Sequence, residues 1–200
     1  GRAFCAGFVL HAFAGQEAQG RTHATADLGR RMAEAVTGMR AITVARVHGH
    51  CVGGGVVLAA ACDLRLAAVD TVFSIPELEL GIPLAWGGIP RLVREIGPAM
   101  TKELVITCRR FSSQEGKAMG MINRVVAYED LERETGELAE LTASMPAVPV
   151  AITKEHVNAV SRAMASSSAY ADGDVLLGAF GSAESAQARK DYVEKRLKRK

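Results

Sequence analysis

The chain has 200 residues, 48% apolar and 23% charged, with a net charge of +2. That balance belongs to a globular protein long enough to bury one core, not to a disordered or fibrous one. Seven Lys/Arg against three acidic residues follow Gly181, a net +4, so the rest of the chain stands at −2. The body is therefore not a nucleic-acid binder by charge, and the basic end reads as a solvated helix. No apolar run reaches the ~20 residues that span a bilayer, and no charged-then-apolar leader is visible. The cysteines (Cys5, Cys51, Cys62, Cys108) fall in no Cys-x-x-Cys spacing, so a reduced, cytoplasmic protein is expected.

In chain order, residues 2–6 read as a short strand ending at Gly7, followed by a polar Gly- and Ala-rich stretch. From about Thr25, the residues Leu28, Met32, Ala35, Val36 and Met39 recur at helical spacing, with Gly38 near the helix end. Residues 42–47 are β-rich and predict a buried strand. After Gly53-Gly54-Gly55, residues 56–62 are apolar on every side and predict a helix buried all round. Leu64 and Leu66 alternate with Arg65, as in a strand with one wet face. Residues 73–88 carry Pro76, Gly81, Pro83, Gly87 and Gly88 and read mostly as loop. Pro98 suits the first position of a helix. Ser112-Ser113-Gln114-Glu115 is a capping box, with Gly120 able to close the helix it opens. Val125 and Val126 predict a last short strand. Three or four helices then run to the end, interrupted at Pro146–Pro149 and around Gly173 and Asp174.

Three places could carry chemistry. Gly53-Gly54-Gly55 puts unpaired amides at a helix start, where an anion or a carbonyl oxygen gaining charge is stabilised. The same glycines could equally serve a tight turn or close helix packing, and the G-x-G-x-x-G dinucleotide spacing is absent. The Cys5-Ala6-Gly7-Phe8 turn could offer a second amide, or be an ordinary strand exit. Glu77 lies in an apolar loop, where desolvation raises a carboxyl toward neutral pH and suits it to proton transfer. Ser74-x-x-Glu77 is also a capping-box pattern, so Glu77 could simply cap a turn. His48, His50 and Cys51 would supply too few ligands for a metal site, and none is expected. His11 reads as exposed.

Taken together, these blocks carry a resemblance. Residues 1–7, residues 47–55 with Ala60-Ala61-Cys62-Asp63-Leu64-Arg65, residues 73–82 with 87–92, and residues 113–126 resemble, in order and spacing, the signatures of the crotonase (enoyl-CoA hydratase/isomerase) superfamily. The resemblance covers essentially the whole chain and leaves the family's opening strands unmatched. It implies an α/β fold: a crotonase-like ββα spiral over residues 1–130, N-terminally incomplete, and a helical trimerisation region over 131–200. It also implies an acyl-CoA substrate, with coenzyme A part of that substrate and no separate cofactor, and assembly as a homotrimer or a dimer of trimers. By position, the amides of Phe8 and Gly54 would form the oxyanion hole. Glu77 would be the catalytic acid/base. Ala6, Gly7, Val57, Leu84 and Trp86 would line the substrate site.

The sequence departs from the pattern where chemistry is decided. Hydratases of the superfamily typically carry a second glutamate two positions after the triple glycine, and here that position is Val57. Moving a double bond needs one base that takes and returns a proton, whereas adding water is served better by two carboxylates. The single Glu77 therefore favours an isomerase. Hydration, with help from Glu79 or ordered water, and non-catalytic acyl-CoA binding are the alternatives. Glu79 is expected to face solvent. Val9 stands where an acidic residue is frequent, and Ala85 where dienoyl-CoA isomerases have an aspartate. Trp86 replaces a usually small residue and reads either as a pocket wall or as core packing.

Overall fold

The computed structural model describes residues 1–7, 27–163, 165 and 172–197. Its centre is built from repeated turns, each placing one strand in each of two small sheets. The first turn gives β1 (Val44–Val47), β2 (His50–Val52) and helix α2 (Gly54–Ala61), after an opening helix α1 (Leu28–Thr37). The second gives β3 (Leu64–Ala68), β4 (Val72–Ser74), a 3₁₀ turn (Leu78–Leu80) and α3 (Gly88–Thr107). The third gives β5 (Phe111–Ser112), α4 (Ser113–Ala118) and β6 (Arg124–Val126). One sheet is parallel in the order β1-β3-β6. The other runs β2-β4-β5, with β2 and β4 parallel and β5 antiparallel. A 3₁₀ turn (Tyr128–Asp130) leads into α5 (Leu131–Ser144), α6 (Ala147–Ala163), α7 (Gly173–Phe180) and α8 (Ala183–Leu197).

The core fills the space between the sheets and α2 and α3. Val47, Val56, Phe73, Ile75, Leu92, Leu104 and Met121 are fully buried, and Phe73 stacks on Phe111 with centroids 5.1 Å apart. Helix α2 is apolar on every face because α1, α3 and β2 surround it.

Several expectations change. Residues 2–6 form no strand; a single parallel bridge joins Cys5 to Cys51, flanked by bonds from Phe4 N to His48 O and from Val52 N to Cys5 O. Helix α1 buries Gly29, Ala33 and Thr37, while Leu28, Ala35 and Met39 face outward. β3 does not alternate: Arg65 is only 4% exposed. Its guanidinium bonds Met121 O at 2.6 Å and Cys62 O at 2.7 Å and pairs with Glu95 at 2.6 Å, which satisfies the buried charge. The segment read as loop, 73–88, holds the last two residues of β4 and the 3₁₀ turn. Gly97 (φ 75°, ψ 167°) breaks α3, so Pro98 opens its second half. Ser112 caps α4 by accepting from Glu115 N, but the Glu115 carboxylate pairs with Arg109 instead of reaching back.

Candidate active site

The site begins where β2 ends. Gly53 adopts φ 53°, ψ −114°, a conformation closed to side chains, and turns the chain sharply into α2. Its amide bonds Ser74 O at the end of β4, and its carbonyl accepts from Val56 N and Val57 N. Each glycine of the triplet is approached by a different neighbour. A Cβ on Gly53 would lie 2.3 Å from Glu77 Oε1, one on Gly54 would lie 2.3 Å from Trp86 Cζ3, and one on Gly55 would lie 2.7 Å from Cys5 Cβ. The triplet therefore serves a tight turn and close packing, and it also borders a cavity. As the first residue of α2, Gly54 has no carbonyl one turn back to receive its amide.

The residues 1–7 run beside β2 through the bridge to Cys51, so Gly7 (φ 91°) arrives next to Val52, at the mouth of the same cavity. Ala6, Gly7, Gly54, Val57, Glu77, Leu84 and Trp86 all line this cavity, whose volume is about 80 Å³. Phe8, Val9 and His11 lie outside the described residues. Val57 is 1% exposed on the inner face of α2.

Glu77 does not cap the turn that follows it: its side chain makes no capping bond. Its Oε2 is buried and meets no hydrogen-bond partner among the described residues. Burial among Pro76, Leu80, Ile82 and Val57 pushes the carboxyl up to about 7. Glu79 is exposed. Among the cavity's described lining residues Glu77 is the sole carboxylate. A group of that kind can exchange a proton with a bound molecule near neutral pH.

Two lining residues, Leu176 on α7 and Tyr192 on α8, were not singled out from the sequence. They lie far along the chain from Glu77, and no local pattern marks them. Trp86 proves to be both pocket wall and packing: its indole lines the cavity and is wedged between Gly29 of α1 and Gly54 of α2.

The histidines take other places. His48 Nε2 lies 2.9 Å from Gly1 O, and its ring meets Tyr128 edge-on. His50 is exposed on β2, while Cys51 beside it points into the core. Among the described residues no three His, Cys, Asp or Glu side chains are grouped to hold a metal. The four cysteines are free thiols. A larger cavity of about 740 Å³, bordered by α5, α6 and the Asp63–Lys154 ion pair, contains none of the expected site residues.

The family model described as enoyl-CoA hydratase/isomerase matches residues 1–199. The chain belongs to that family. Its ββα spiral is the crotonase fold. Among family members, a probable mitochondrial enoyl-CoA hydratase of Dictyostelium discoideum is 34% identical over 161 residues, covering 80% of this chain and 58% of that protein. The solved enoyl-CoA hydratase of Bacillus anthracis is 31% identical with a TM-score of 0.75, covering 98% of this chain and 76% of that one. An enoyl-CoA hydratase/isomerase structure from Pseudoalteromonas atlantica, 23% identical, superposes with a TM-score of 0.84 over 98% of this chain and 76% of its own, a likeness of fold. The chain spans 58% and 62% of the length of the first two curated relatives it matches. No helix among the described residues is long and apolar enough to cross a membrane.

Proposed function

We propose that the protein acts on an acyl-CoA thioester and moves a carbon–carbon double bond, with Glu77 as its one proton carrier. The ionised carboxylate removes a proton from the carbon next to the thioester carbonyl of a 3-enoyl-CoA. The electron pair moves onto the thioester oxygen, which the Gly54 amide holds, with the Phe8 amide as the second donor that the family resemblance implies. As the carbonyl re-forms, the double bond closes between C2 and C3. The proton on Glu77 passes to C4, so the enzyme returns to its starting state.

One observation carries this reading: a carboxyl shifted to about 7 by burial, the single one among the described lining residues, borders the same apolar cavity as the two glycine turns. Val57 in place of a second acid supports isomerisation over hydration, since water addition divides its work between a base and an acid. Hydration is the second reading. It is favoured by the relatives, which are named as hydratases. The self-association that the resemblance implies would have exposed apolar side chains to cover, Val148, Ile152, Val157 and Val160 on α6 among them.

The test supplies trans-3-enoyl-CoA and trans-2-enoyl-CoA separately and follows the conjugated thioester chromophore. Gain from the first substrate, with the second stable, supports isomerisation. Rapid loss from the second supports hydration. Glu77→Gln abolishes turnover in either case while retaining acyl-CoA binding; full activity in that variant overturns both readings.

A further inference from the structure

The Trp86–Gly87 turn is held in an unusual way. Trp86 has φ 63° and Gly87 φ 67°, two successive left-handed residues. For tryptophan this conformation is unfavourable and persists only where its surroundings impose it. Two charged side chains brace it. The Asp172 carboxylate accepts from Trp86 N at 3.1 Å through Oδ1 and from Gly87 N at 2.8 Å through Oδ2. Arg91 Nη1 donates to Gly87 O at 3.0 Å and to Trp86 O at 3.4 Å. Asp172 stands at the N-cap of α7, where an aspartate ordinarily caps its own helix, yet it makes no such bond. Its carboxylate is committed to the turn. Four residues on, Leu176 of the same helix is 8% exposed and lines the cavity. One residue thus fixes the turn that aims the indole and docks the helix that brings in a second wall.

We infer that the Asp172-braced Trp86 is the specificity device of the pocket, a fixed end wall that restricts the acyl group to a short chain. The inference rests on the acyl-CoA reading above and adds the substrate class and its determinant. The cavity measures about 80 Å³. On this inference a butanoyl or hexanoyl tail is accommodated beside the indole, whereas a decanoyl tail meets it. The indole is what limits it, because the ring occupies the space above Gly54 and Gly29 down to van der Waals contact. Trp86 is the specificity residue, and Asp172 is a positioning residue that acts through it.

The experiment measures binding of saturated butanoyl-, hexanoyl- and decanoyl-CoA to the full chain by calorimetry, so that no turnover is needed. Wild type favours the short chains at least tenfold. Trp86→Ala moves the butanoyl-to-decanoyl ratio at least tenfold toward decanoyl, since each further methylene buried is worth about fourfold. Trp86→Leu, which keeps an apolar filler, serves if the alanine variant does not fold, and moves the ratio the same way. Asp172→Ala moves it partway and exposes the indole to acrylamide quenching, which reads cleanly because Trp86 is the chain's one tryptophan. Asp172→Asn restores part of both. An unchanged ratio in the Trp86 variants overturns the inference while leaving the acyl-CoA reading intact. Destabilisation by Asp172→Ala with neither selectivity nor quenching altered overturns the positioning role. Failure of wild type and variants to bind any of the three thioesters overturns the acyl-CoA reading, and this inference with it.

Discussion

Glu77→Gln is expected to stabilise the protein at alkaline pH and to leave it unchanged in acid. The carboxyl sits at about 7 in the fold against 4.5 for an unhindered glutamate, and burial is the main cause. A group whose folded value is raised keeps its proton in the native state while the unfolded chain has already released it. Between about 4.5 and 7 the native state therefore binds more protons, and stability falls as pH rises. Above about 7 the fold carries a buried ionised carboxylate and the loss is complete. A shift of about 2.5 units at 1.36 kcal/mol each gives about 3 kcal/mol. Glutamine has the shape of the protonated acid and no charge to bury, so it escapes this cost. Urea unfolding of both proteins in steps from pH 4 to pH 9 reads the difference directly. The expected curves coincide near pH 4 and part by about 3 kcal/mol above pH 8, or about 6–12 °C in Tm for a chain of this length. The comparison cancels every other titrating group. A difference that stays constant with pH, or in which the variant is the less stable at pH 8, would refute the account of a desolvated carboxyl beside Gly53.

The same group sets the pH dependence of turnover. If the ionised Glu77 is the base, kcat/KM rises with pH through about 7 and levels off above it; a profile flat from pH 5 to pH 9 argues against the assignment. Val57→Glu places a second acid on the inner face of α2, 1% exposed. It is expected to cost several kcal/mol of stability at pH 8 and to raise the ratio of hydration to isomerisation; a ratio no higher than wild type's speaks against a hydratase-shaped site. Lys154, 8% exposed, anchors α6 by bonds to Ala41 O at 2.9 Å and Asp63 Oδ2 at 2.7 Å. Lys154→Met keeps the stem but removes the cation beside Asp63, leaving its Oδ2 only the bonds from Thr43 N at 2.7 Å and Thr43 Oγ1 at 2.8 Å, and chemical denaturation should show a loss of about 3 kcal/mol. A loss under 0.5 kcal/mol would mean that the Thr43 donors and solvent suffice for Asp63.

Much of the spiral was legible because its signals are local. The glycine run that opens α2, the apolar segment of α2 itself, the cap at Ser112 and the Val125-Val126 pair each act within a few residues of where they stand. The miss at Arg65 has a long-range cause. A charged residue in an alternating pattern predicts a wet face, but Glu95 and the Met121 carbonyl come from elsewhere in the chain to satisfy it indoors. Residues 2–6 fall short of a strand because a single bridge to Cys51 is all the sheet pairing they find among the described residues.

By itself, the sequence determined the family, the order of the ββα turns, the single acid at Glu77 and the valine where a second could stand. Those are matters of residue identity and spacing. Only the tertiary structure decided the state of that acid and the shape of its pocket. Glu77 titrates near neutrality because Val57, Leu80 and Ile82 exclude water around it. Trp86 lines the pocket in a turn that Asp172, distant in sequence, hydrogen-bonds, with its indole against two glycines. Long-range packing and hydrogen bonds depend on which segments the fold brings together, and no short window along the chain contains Glu77 with Val57 or Trp86 with Asp172.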